Sequence, residues 1–306
     1  TYQVHDGQIS GIDAVFDSGL TLTAGTEPPA PSHYAVDLAT GTFRLGSAPD
    51  GPVTAHVRGD ATGGAYAEDA ASLMLRIAMR ATGLSLIDWG AFAALTLAAP
   101  MAAGFFANQE TGMLSALDSL ADSIGAHFGF DRQGQFTVGR LTEPSVTATE
   151  SFDDSAIVSL EREPFALPIW RQKLGYARYW RPLSDGESAA ALGAEARSDL
   201  AASHRYADAS DPAIQIRHKL AGDTQKDGLL ATAPDAGTEA ARRLALFGTA
   251  RDLFRVRVKT RPYALSLGST IRISYPRHGL AGGRNLVLAG LSEDSAFDEA
   301  ELTLWG

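Results

Sequence analysis

The residues best equipped for chemistry in this chain are its grouped carboxylates: Asp153-Asp154, Glu161 with Glu163, Glu293-Asp294, and Asp298, Glu299 and Glu301. A glycosidase needs two such groups facing one sugar bond, one as acid and the other as base or nucleophile. Asp153-Asp154, however, lies between Ser151 and Ser155, residue types that close turns, so a solvated acidic loop is the simpler account. The seven histidines, His5, His33, His56, His127, His204, His218 and His278, include no pair at the i, i+3 or i+4 spacing that puts two metal ligands on one helix face. Neither a nucleophile elbow nor a phosphate loop occurs, and Gly63-Gly64 and Gly282-Gly283 read as turns. With no cysteine, the chain has no disulfide, thiolate zinc site or cysteine-ligated cluster. No cofactor, metal site or catalytic residue is expected.

Two stretches suit binding better than catalysis. Trp170, Tyr176, Tyr179 and Trp180 fall in one strand-like run from Ile169 to Trp180. Such aromatics stack on sugar rings, and equally they fill a face buried against a neighbouring subunit, which is the favoured reading. Arg255, Arg257, Lys259 and Arg261 alternate with Phe254, Val256 and Val258, giving a strand with one apolar and one basic face. Trp170, Tyr176, Trp180, Arg255, Arg257 and Lys259 are therefore the candidate interface residues. The chain as a whole carries 26 basic and 36 acidic residues, a net charge of −10, so the basic face reads as a dock for an acidic partner rather than a track for nucleic acid.

The elements that would position these residues fall into four regions. Residues 1–60 alternate with period two between turn signals (Asp6-Gly7, Asp17-Ser18-Gly19, Thr40-Gly41 and Pro49-Asp50-Gly51-Pro52), with Tyr34, Val36 and Leu38 expected to face inward. Residues 61–142 switch to helical period. Glu68 to Ala81 ends at Gly83, Asp88 caps a second helix through Trp89, Phe92 and Leu95, and Thr111 caps a third with Leu114, Leu117, Leu120, Ala121 and Ile124 in a stripe closed by Gly125. A hairpin follows, turning at Asp131 to Gly134. Residues 143–237 read as a mixed α/β insertion, with a helix over Glu187 to Leu200, a strand over Ala213 to Arg217, and a loop at Gly222, Asp223, Asp227 and Gly228.

In residues 238–306, Thr238 is expected to cap a short helix that Gly248 stops in the left-handed conformation, followed by four strands ending at Leu302-Thr303-Leu304-Trp305. The fold class is thus mixed, β-rich α+β: two small antiparallel barrel-like modules at the ends, separated by α/β insertions. The most apolar segment, Ala91 to Phe106, is broken by Pro100 and Gly104 and is too short to span a bilayer. The chain opens on Thr1 with no charged-then-apolar stretch after it, which leaves open a processed chain, a trimmed one and one region of a longer protein.

The run Tyr34-Ala35-Val36-Asp37-Leu38-Ala39-Thr40-Gly41-Thr42-Phe43-Arg44-Leu45, the hairpin Gly129-Phe130-Asp131-Arg132-Gln133-Gly134-Gln135-Phe136, and Tyr275-Pro276-Arg277-His278-Gly279-Leu280 with the closing Leu302 to Gly306 resemble tail proteins of long-tailed bacteriophages, specifically baseplate hub proteins. That resemblance covers most of the chain. It implies a virion protein of the tail tip, a homotrimeric ring adapting a sixfold tube to a threefold tip, with the distal tail protein, tape measure and tip fibre as partners and no enzymatic activity. The rival readings are a carbohydrate-binding or glycoside-hydrolysing protein, and a distal tail or receptor-binding component.

Overall fold

The computed structural model describes residues 1–259, 265–294 and 296–306. At the start, β1 (Tyr2–Gln3), β2 (Ile9–Asp17), β3 (Leu20–Thr21), β4 (Thr23–Ala24), β5 (His33–Asp37), β6 (Thr42–Leu45) and β7 (Val53–Asp60) form two small sheets, ordered β1-β6-β5-β4 and β3-β2-β7. Asp17 pairs with Leu20 across Ser18 and Gly19, whose φ values of 51° and 85° are the left-handed pair that a tight hairpin turn requires. Asp6-Gly7 makes no hairpin, because β1 pairs with β6 and the turn only carries the chain from one sheet to the other. Val15, Tyr34 and Phe43 fill the small core. Val36 and Leu38 are exposed instead of inward, with Ala35 buried beside Tyr34, since a unit this small encloses few side chains.

Helix α1 (Ala70–Thr82) starts where Asp69 accepts a hydrogen bond from the Ser72 amide, and α2 (Trp89–Ala98) where Asp88 accepts one from Ala91. Helix α3 (Met113–Ile124) has no side-chain cap; Gly112 takes the cap position, and the Thr111 hydroxyl donates to the Gln109 carbonyl. Its stripe is buried at Leu117, Leu120, Ala121 and Ile124, whereas Leu114 is 68% exposed in the first turn. Gly125, at φ 62°, ends the helix as expected. The hairpin of β8 (Ala126–Phe130) and β9 (Phe136–Arg140) packs on α2 through Phe92 and Phe136.

Beyond it come β10 (Glu150–Phe152), β11 (Ile157–Glu163), β12 (Ile169–Tyr176), α4 (Ala194–Ala201), β13 (Arg205–Ser210), α5 (Pro212–Arg217), β14 (Gly222–Leu230) and α6 (Ala233–Phe247). The chain ends with β15 (Leu253–Val258), β16 (Thr270–Ile273), β17 (Arg284–Asp294) and β18 (Glu299–Trp305). Several of these elements differ from the sequence expectation. Residues 213–217 form a helix, not a strand: Asp211 caps it and Pro212 occupies its first turn, where a missing N–H costs nothing. Residues 222–230 form a strand parallel to β12, not a loop; Gly228 is there because a Cβ would meet the Gly175 carbonyl at 2.5 Å. The helix expected over 187–200 is confined to α4, with turns at Ser184 to Ser188 before it. Thr232 caps α6, while Thr238 lies inside it and donates back to the Pro234 carbonyl. Gly248 ends the helix at φ −77°, right-handed, not left-handed.

Two sheets dominate this half. The order β13-β12-β14 makes a three-stranded sheet whose residues Leu174, Leu229 and Leu230 share one core with α1, α2, α3 and α6. Ser123 ties α3 to that sheet, accepting from the buried Leu229 amide at 2.9 Å. The order β10-β16-β17-β18-β15-β11 makes a six-stranded half-barrel enclosing Phe254, Val256, Val258, Ile271, Ile273, Leu302 and Leu304. Register shifts between Ile157 and Ser159 and between Leu288 and Gly290 mark bulges, which bend a sheet and sharpen its twist. Its other face meets the end of α6 through Leu246, Phe247, Val287 and Trp305.

Candidate functional site

The basic strand face lies where the alternation put it, but its cations are matched from within the chain. Arg255 is 2.7 Å from Glu163 on β11 and 3.5 Å from Glu301 on β18. Arg257 is 3.3 Å from Glu299, and Lys259 donates to the Ser155 carbonyl at 2.8 Å. Three of the carboxylates singled out in the sequence, Glu163, Glu299 and Glu301, thus act as cross-strand partners of these arginines. Arg261 lies outside the described residues.

The aromatic run is split by the backbone. β12 ends at Tyr176 because Ala177 takes a left-handed conformation at φ 48°, so Trp180 stands apart from the strand. Tyr176 is half-buried against the core shared by the helices and the three-stranded sheet, and Trp170 is half-buried on β12. Trp180 is 37% exposed, with the Arg178 guanidinium 4.0 Å from its ring centre and Phe105 and Phe106 edge-on at 5.7 and 6.1 Å. With a cation over the ring, Trp180 is poorly placed as an open stacking platform. Nearby, the Tyr206 hydroxyl donates to Asp227 at 2.6 Å, which raises the phenol's pKa. Burial lowers that of His204, partly opposed by Asp227.

Glu163 and Glu301, from two of the carboxylate groups, come together at Arg255, where they serve as its ion-pair partners. Asp153 accepts from the Ser155 hydroxyl at 2.6 Å and its amide at 3.0 Å, and these bonds hold its pKa below the ordinary value: it is the acceptor of a turn. Glu293 pairs with Arg132 at 2.5 Å. Among the described residues no group of three or more histidines and carboxylates is arranged to hold a metal ion.

Sequence reasoning missed a buried cluster of one acid and three arginines. Glu239, on the inner face of α6, is fully buried. It accepts from Arg242 at 2.8 Å on each oxygen and from Arg243 at 2.7 Å, and it is also paired with Arg140 of β9. Burial alone would raise its pKa; the hydrogen bonds and charges of Arg242 and Arg243 outweigh this and hold it below the ordinary value. The same arginines satisfy carbonyls at helix ends, Arg140 those of Ile124 and Ala98 and Arg243 that of Asp122, while Arg242 donates to Leu141 just past β9. The only local signal was an acid followed at i+3 and i+4 by arginines, a pattern that usually marks an exposed helix face. Above this cluster opens a cavity of about 370 Å³, and a second of about 430 Å³ adjoins it along residues 162–168 and 250–252.

No protein-family description and no curated protein matches the chain. Solved structures do. A chain of the virion of a native gene transfer agent particle is 14% identical, with a TM-score of 0.57, covering 98% of this chain and 76% of that one. The tail protein from Neisseria meningitidis is 15% identical with a TM-score of 0.42, covering 67% of this chain and 58% of that one. The 43 kDa tail protein of a Shewanella oneidensis prophage is 13% identical with a TM-score of 0.38, covering 65% and 53%. The chain therefore spans little more than half the length of these two tail proteins. The first likeness establishes a shared overall fold running through nearly the whole chain.

Proposed function

We propose that this protein is a non-enzymatic structural component of a phage-type tail, acting at the tail tip as the central hub. The observation that carries the reading is the fold likeness to a chain of the gene transfer agent virion, which takes in both the two small sheets at the start and the half-barrel at the end. In a homotrimer, each chain would present these two β units to a sixfold tube, six modules from three copies, while the threefold axis continues into the tip. The distal tail protein, the tape measure and the tip fibre are the neighbours such a position requires. Asp153 held in a turn, carboxylates held in ion pairs and a tryptophan covered by an arginine favour a packing role over sugar chemistry.

Light scattering across a concentration series tests the ring, and gold labelling of tagged particles tests the position. The expected results are a species of three times the 32.2 kDa chain mass and label at the tail tip. A chain that stays monomeric at every concentration, with label along the tail or on the capsid, would overturn the proposal. Loss of a measurable sugar release in Asp153→Asn or Asp154→Asn would overturn its non-enzymatic part.

A further inference from the structure

The cavity above Glu239 combines apolar walls with unspent positive charge. Leu141, Leu246 and Phe247 form one side, with Phe165 and Leu167 among the other lining residues. Arg243 gives its Nε to Glu239 and one terminal nitrogen to the Asp122 carbonyl; its Nη1 has no hydrogen-bond partner among the described residues. Lys226, exposed on β14, also lines the cavity and pairs with no carboxylate among the described residues. Arg251 is already engaged by Glu143 and stacks over Trp305 at 4.8 Å.

Counting every charged group in or directly bonded to the lining, Lys226, Arg242, Arg243 and Arg251 stand against Asp122, Glu143 and Glu239, an excess of one positive charge. On a chain of net charge −10, this is a local reversal of sign. The second cavity shares Phe165, Ala166, Leu167 and Arg251 with the first, so the two run together as one groove along residues 162–168. Arg162 and Arg251 along the second cavity are ion-paired with Asp252 and Glu143, so the open Arg243 Nη1 and Lys226 mark the first cavity, and a partly apolar groove of this kind suits an extended chain better than a compact anion.

We infer that this groove seats an extended peptide segment of a neighbouring protein, in which an apolar side chain adjoins a carboxylate that meets Arg243 and Lys226. The segment's apolar side chain packs between Phe247 and Leu167, and its carboxylate completes the bonding of Arg243. The assignment deepens the tail-component reading by naming the chemistry of a partner, yet it rests on the groove itself and holds for a monomer as well as a ring.

The test is fluorescence anisotropy of a labelled hexapeptide with a leucine–glutamate–phenylalanine core between glycine and serine residues, titrated with the intact protein at low ionic strength. Saturable binding is expected, weakened by about tenfold when glutamine replaces the peptide's glutamate and by a similar factor in Lys226→Glu. Leu167→Asp, at a position 59% exposed, should weaken binding as well while leaving the thermal melt unchanged. Equal binding of the glutamate and glutamine peptides, insensitivity to Lys226→Glu, or no saturation up to about 1 mM protein would overturn the inference. Full displacement by equimolar inorganic phosphate would also overturn it, assigning the cations to a simple anion. Because Lys226 is remote from the ring argument, light-scattering mass separates failure of this inference from failure of the hub reading.

Discussion

Glu239→Gln should be among the most damaging single-atom changes available in this protein. The carboxylate collects four charge-assisted hydrogen bonds from three arginines, and Glu239 is fully buried. An amide of the same shape keeps one acceptor oxygen, so two of the four bonds survive, and it turns an NH2 group toward guanidinium donors. Charge-assisted bonds contribute about 1.5–3 kcal/mol each, so losing two costs about 3–6 kcal/mol, in line with the roughly 3–5 kcal/mol seen when one partner of a buried ion pair is removed.

The assay is urea unfolding followed by circular dichroism and tryptophan fluorescence, with Glu195→Gln on the exposed face of α4 as control. The pH dependence carries a second check. Glu239's folded pKa lies below its ordinary value of 4.5, so its contribution is fully present above that value and is lost as pH falls through the folded pKa. Wild type and Glu239→Gln should therefore converge in acid, draw apart as pH rises toward 4.5 and keep that separation above it. A loss within about 1 kcal/mol of the control, or a difference that does not change with pH, would refute the idea that this carboxylate holds α6, α3 and β9 together.

Leu117→Asp places an unpaired charge in the buried stripe of α3 and should lower stability by about 3 kcal/mol or more, while Leu114→Asp, on the exposed first turn, should change it by less than about 0.5 kcal/mol; paired thermal melts decide. Gly237→Ala lies inside α6 with open space at its Cβ and should stabilise by about 0.5–1 kcal/mol. Gly228→Ala should do the reverse, because its Cβ meets the Gly175 carbonyl, and a loss of about 1–3 kcal/mol is expected in denaturant titration.

What could be read from the sequence was local. The alternation around Phe254, Val256 and Val258, the stripe from Leu117 to Ile124 and the caps at Asp88, Gly83 and Gly125 each depend on residues a few positions apart, and each formed as read. What could not be read depended on distant partners. Gly222 to Gly228 looked like a loop because glycine and aspartate usually turn a chain; only the approach of β12 shows that Gly228 serves close packing. Ala213 to Arg217 carries two isoleucines that favour strands, and the Asp211-Pro212 start signal outweighed them. The basic face at Arg255 and Arg257 was legible as basic, but Glu163 is about ninety residues upstream, so its neutralisation was not. Nothing close to Glu239 in sequence marks it as buried; its pairing is completed by Arg140, from a strand about a hundred residues upstream.

The half-barrel's strand order bears on how the chain comes to be folded in the cell. β18 is the last of the six strands in sequence, yet it lies between β17 and β15, so until residues 299–305 emerge from the ribosome the sheet exists only as two fragments, β10-β16-β17 and β15-β11. A nascent chain stalled short of Glu299 would show two unpaired inner edges, the surfaces that chaperones hold and that drive aggregation. Of these six strands the keystone is thus translated last, after both fragments it joins.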